Sequence, residues 1–168
     1  MSVGLLLSQA KNRMKFDRVN QLLQTGANVG VILSILFLAL QISRTEDVMK
    51  AQTRSTLASQ SAALLFGEAD NADLASIVRR SYAREELAAD ERFRLERLLQ
   101  AYFRHWESTH YQYRVGLFDE EEYSRLREAW RLRLARPGVA DFWCSGRIAY
   151  SAAFATAIDN LLAQKCDP

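Results

Sequence analysis

The chain has 168 residues, a net charge of +2, two prolines and seven glycines. Scarce Pro and Gly, with abundant Leu, Ala, Arg and Glu, favour helices over a sheet. Arg and acidic residues are mixed along the second half, which excludes the basic stripe of a nucleic-acid binder; no nucleic acid is expected as a partner.

Residues 1–24 form a basic leader, with Lys11, Arg13, Lys15 and Arg18 against Asp17 alone. Val3, Leu7, Ala10 and Met14 fall at helical spacing. The leader therefore reads either as an amphipathic helix against anionic lipid or as a partly ordered basic tail that fixes topology.

Ala27–Ile42 follows, sixteen residues without a charge and with only Asn28, Ser34 and Gln41 polar. At 1.5 Å per residue it rises about 24 Å, and the uncharged Leu22–Gly26 brings it to the roughly 30 Å of a bilayer's hydrocarbon core. A single transmembrane helix is predicted over residues 25–44. The leader is long and no A-x-A-like pair follows the run, which argues against a cleaved signal peptide. The stronger rival is a core helix of a soluble protein, but charges cluster on both flanks and stay out of the middle. The small excess of Lys/Arg before the span predicts the N-terminus inside, in a bacterial inner (cytoplasmic) membrane, against Arg44, Lys50 and Arg54 on the far side.

Within the span, Gly26, Gly30 and Ser34 recur every four residues and line a stripe that lets another helix come close. Asn28 offers an amide to the same contact. The partner this predicts is a membrane protein complex, or a second copy of the chain.

Residues 45–168 are predicted to be a helical bundle domain. The first helix runs on to about Phe66, with Gly67 as its stop. Asp73 caps a second helix from Leu74 to about Glu86. The longest helix of the bundle runs from Asp90 to about Val115. Its Leu95, Leu99, Tyr102, Trp106, Thr109 and Tyr113 alternate spacings of four and three, the seam of a bundle helix. Asp119 caps the next helix, with Glu122 in the capping-box position and Tyr123, Leu126 and Trp130 as its buried stripe. Leu95, Leu99, Tyr102, Trp106, Tyr113 and Trp130 are the predicted core. Arg136-Pro137-Gly138 breaks the chain, Val139–Cys144 reads as a turn, and a last helix starts at Ser151 and reaches about Gln164. The fold class is all-α: one N-terminal transmembrane helix continuing into a small antiparallel bundle.

Both histidines lie in the stretch Arg104–Arg114. Glu107-x-x-His110 has the spacing of a di-iron bundle's ligand pair, but no second pair exists, and His105 and His110 sit about 140° apart on a helix. No metal or cofactor is expected. Glu107, Tyr111 and Arg114 share a face and predict a structural polar network instead. No nucleophile triad, phosphate loop or zinc spacing occurs, so no catalytic residue is assigned and the chain does not read as an enzyme. Cys144 and Cys166 are too few for a framework and read as unrelated thiols, unless the domain faces an oxidising compartment.

Several of these features occur together in a known pattern. An apolar span with Leu38-x-x-Gln41-Ile42 is followed by Ala51-Gln52-Thr53 and an Asn-x-Asp-Leu turn at 71–74. Then come Trp106-Glu107, Tyr111-Gln112-Tyr113-Arg114-x-Gly116 and Trp143. The chain thereby resembles an uncharacterised family of short bacterial single-pass proteins over residues 27–162. It departs from the pattern in its long basic leader and in Ile42-Ser43-Arg44, where such sequences more often read Ile-Arg-x-Asn. The resemblance implies a membrane helix with a helical domain and carries no chemistry. The expected function is a membrane-anchored accessory or assembly subunit; the alternative is a membrane-tethered sensor or ligand-binding module.

Overall fold

The computed structural model describes residues 3–163 and Cys166, leaving aside the side chains of residues 3–19 and Leu22. Every regular element among the described residues is helical: α1 (Val3–Ala69), α2 (Ala72–Tyr82), α3 (Ala89–Arg114), α4 (Glu120–Leu134), α5 (Val139–Gly146) and α6 (Ala152–Asp159), with a 3-10 turn at Arg147–Ala149. The chain divides into two compact units between Asp47 and Val48.

The first unit consists of α1 alone. Leader and span are one uninterrupted helix rather than two segments, because no proline intervenes and an isolated glycine costs a helix only about 1 kcal/mol. From Leu23 to Asp47 every side chain is exposed. By length and composition this helix can cross a membrane. The lipid-facing pattern expected of the leader rests on Val3, Leu7, Lys11 and their neighbours, whose side chains lie outside the described residues.

The second unit is the bundle, entered by the last turns of α1. Thr53, Leu57, Ser61, Leu64 and Glu68 are less exposed and fall at helical spacing, with Leu57 buried; Ala62, off that line, is also half-buried. Asn71, not Asp73, caps α2: its Oδ1 accepts the Leu74 N–H at 3.0 Å. Asn71 takes the extended backbone a cap needs, which leaves Asp73 in the first turn. The helix stops at Tyr82, short of Glu86, where Arg84 adopts a left-handed φ of 60°. Arg80 gathers this turn by donating to Glu85, to the Glu86 carbonyl and to Glu91. Glu91 in turn accepts the Ala88 N–H at the start of α3.

Asp119 caps α4 by accepting from the Glu121 and Glu122 N–H groups. The Glu122 carboxylate does not fold back on the cap; it pairs with Arg54 of α1 at 2.5 Å. Tyr123, Trp130 and Leu134 are buried, but Leu126 is 36% exposed. At 100° per residue, position 127 and not 126 lies on the line through 123, 130 and 134, so Arg127 occupies the inner stripe. The stretch Val139–Cys144, expected as a turn, is the body of α5. Gly138, at φ 75°, makes the left-handed corner that lets a helix restart directly after Pro137. The last helix is shorter than expected and ends at Asp159.

Aromatic side chains fill the core. Trp106 stacks on Trp130 at 5.2 Å, and Phe103 packs between Trp106 and Trp143 at 4.9 and 5.0 Å. Phe103, Trp143, Phe154 and Ile158 are wholly buried. Each such side chain contributes about 1.5–3 kcal/mol of burial. The Trp143 indole donates to Asp159, whose other oxygen pairs with Arg147. Cys144 and Cys166 are not separate thiols: they form a disulfide that ties the segment after α6 to α5. Their distance in sequence hid this, since α5 and α6 become neighbours only when the core closes.

Candidate functional site

Two surfaces hold the residues singled out in the sequence. In the first unit, Gly26, Asn28, Gly30 and Ser34 all lie on exposed helix surface. The Ser34 hydroxyl donates to the Gly30 carbonyl at 2.8 Å, so its polarity is satisfied within the helix. A Cβ built at Gly26 or Gly30 would meet nothing within 4 Å. The stripe is therefore open to a neighbour.

In the bundle, Leu99, Tyr102, Trp106 and Trp130 are buried, and Leu95 and Tyr113 pack partly buried against them. The polar triple Glu107, Tyr111 and Arg114 does not come together. Tyr111 is 58% exposed. Glu107 turns the other way: it accepts the Ser151 N–H at 2.8 Å and binds Arg104 at 2.7 Å. Arg104 also donates to the Ala149 carbonyl and lies 4.3 Å over the Tyr150 ring. Together Arg104 and Glu107 hold the turn that starts α6. Burial raises the Glu107 carboxyl, but the Ser151 bonds and the Arg104 guanidinium outweigh it and leave the group below its ordinary value.

Sequence reasoning missed two further clusters. Tyr102 donates to Glu68 at 3.0 Å, Arg133 donates to the same oxygen at 3.3 Å, and the triple fastens the end of α1 to α3 and α4. His110 Nδ1 and the Tyr123 hydroxyl are hydrogen-bonded at 2.5 Å inside the bundle. Burial, then Arg114 and Arg127, lowers His110. Burial pushes Tyr123 up to about 12, against the nearby Arg127. A Tyr facing a His is visible as composition, but only the α3–α4 pairing says that they meet.

Chemistry has little foothold in these clusters. Among the described residues no group of His, Cys, Asp and Glu has the makings of a metal site. A hollow of about 750 Å³ opens as a cleft between the α2–α3 turn and the start of α5. Arg84, Arg92, Glu86, Glu96 and Asp141 line it with mixed charge. It lies beside the aromatic core and not within it. What the arrangement offers is a packed bundle, a set of internal polar clamps and a bare apolar helix. Comparisons of this chain with protein-family models, with curated proteins and with solved structures each found no match.

Proposed function

We propose that this protein is a single-pass accessory or assembly subunit of a bacterial cytoplasmic membrane. It docks on a larger membrane complex, or on itself, through α1. One observation carries the reading: Ala27–Ile42 is an uncharged helix with every side chain exposed, while the bundle has an aromatic core of its own. An apolar surface of that length needs lipid or a partner around it. The disulfide supports a bundle on the oxidising, extracytoplasmic side, with the basic leader inside against anionic lipid. A tethered sensor is the second reading, favoured by the open cleft beside α5. Its open shape and mixed-charge lining make it the weaker of the two.

The test has two steps. Wild-type protein should resist a carbonate wash of membranes, and Leu36→Arg, at about 3 kcal/mol on insertion scales, should shift it to the soluble or degraded fraction. Gly30→Leu keeps the helix apolar but fills the stripe. It should leave the protein in the membrane and release co-purifying partners in a mild-detergent pull-down. A wild type that washes off would sink the anchor, and equal partner recovery from Gly30→Leu would remove the span from the docking surface.

A further inference from the structure

The cleft between the α2–α3 turn and the start of α5 has two fixed walls. On one side Arg80 pins the turn through Glu85, the Glu86 carbonyl and Glu91. On the other, Trp143 is wholly buried in the core and Cys144 is held by its disulfide, which keeps the Asp141–Ser145 stretch of α5 in place. The base is apolar: Leu99 is buried, and Leu95 and Phe142 are half-buried. Arg84, at the lip, occupies a position that suits glycine. The Glu85 N–H closes back on the Arg80 carbonyl at 3.0 Å, which puts Arg84 in the left-handed slot just past the end of α2, at φ 60°. An arginine there carries backbone strain that glycine would avoid, and its side chain lines the cleft. Among the described residues Arg84 makes no ion pair, and neither do Arg92, Glu96 and Asp141, which line the cleft with it.

We infer that this cleft binds a short apolar peptide with both ends free, its carboxylate on Arg84 and its ammonium on Asp141. A simple cation would face open guanidiniums here, and a simple anion would face open carboxylates. A ligand carrying one charge of each sign meets a partner for both. Arg84 and Asp141 stand on opposite walls, so the two ends are bound apart and the side chains between them lie over Leu95, Leu99 and Phe142. The planar guanidinium suits a carboxylate, which it can hold through two parallel hydrogen bonds. Ser145 donates its hydroxyl to the Phe142 carbonyl at 3.0 Å and keeps its oxygen lone pairs for a peptide N–H. At about 750 Å³ the hollow is large for a single amino acid and falls within the range of ligand sites. Its walls are set before the ligand arrives, which lowers the cost of binding. The inference rests on the tethered-sensor reading, to which it gives a ligand class, and does not depend on what α1 docks on.

Isothermal titration of the full chain in detergent micelles tests this, with trileucine as the probe. Trileucine should bind once per chain. Its N-acetylated and C-amidated forms each lack one charge and should bind about tenfold more weakly or worse. Arg84→Gly removes the guanidinium and relieves the left-handed backbone, so its melting temperature should match or exceed that of the wild type. Its affinity for trileucine should nevertheless fall by about tenfold or more, and amidating the peptide should then cost it nothing further. Asp141→Asn should behave in the same way toward the ammonium end, with acetylation costing nothing further. Equal binding of all three peptides would overturn the zwitterion and leave the sensor reading with a cleft that binds. An Arg84→Gly variant that binds as the wild type does would also overturn the proposal. No binding of any form at millimolar concentration would remove the peptide and the cleft's support for the sensor reading together, while docking through α1 would stand.

Discussion

Arg133 lays its guanidinium 3.6 Å from the centre of the Tyr102 ring, and both side chains reach the same carboxylate oxygen of Glu68. A cation–π contact and two hydrogen bonds thus converge where α1 joins the bundle. Tyr102→Phe removes one bond and should cost about 1 kcal/mol. Glu68→Ala strands the hydroxyl and the guanidinium together, and should cost more, about 1–3 kcal/mol. Denaturant unfolding of both variants checks the order. Equal effects would mean that the carboxylate holds only the tyrosine.

Trp106→Ala opens a cavity against Trp130 and Phe103, its stacked and edge-on neighbours. A loss of roughly 3–5 kcal/mol is expected. Against the 5–15 kcal/mol typical of a whole domain, that brings the bundle near its limit. Circular dichroism should show a lower melting temperature, with span helicity retained.

The buried His110 and the half-buried His105 predict a pH dependence. His105 is lowered by burial, and its Nδ1 is buried without a partner. His110 is lowered by burial and then by Arg114 and Arg127. In both, the folded state holds its proton less tightly than the unfolded chain does. Their contribution is therefore full above the ordinary 6.5 and is lost as pH falls below it. Glu91 and Glu107, held below their ordinary 4.5, lose theirs only at lower pH. Melting temperature should fall between about pH 6.5 and 5. His110→Gln should flatten that slope. A pH-independent melt over this window would place both rings in contact with water.

The disulfide closes a loop over a sequence separation of 22. Chain-entropy arguments give such a loop about 3 kcal/mol. Cys166→Ser should lower the unfolding free energy by about that amount. In intact cells, a thiol-directed label should react with neither cysteine until a reductant is added. Labelling without reductant would put the bundle on the reducing side.

The legible parts of the fold were those set by local periodicity. The α3 seam through Leu95, Leu99 and Trp106 could be read because turn-by-turn spacing alone decides which face is apolar. Cap choice was less legible. Asn71 and Asp73 both suit a helix start, and the backbone angle that selects Asn71 is set by how α1 hands over to α2. Arg127 was missed because its charge argues for solvent while its helical angle places it inward. The Glu107 clamp and the Cys144–Cys166 bond were illegible for a shared reason: each joins residues whose proximity exists only once α5 and α6 have packed on α3.

All three tryptophans, Trp106, Trp130 and Trp143, are 5% exposed or less, and none belongs to α1. Intrinsic emission excited at the indole band therefore comes from the bundle alone and should be blue-shifted in the native state. The detergent or lipid around the apolar helix contributes nothing to that signal. Bundle unfolding can be followed optically in a micelle or vesicle, with the apolar helix in place and without a label.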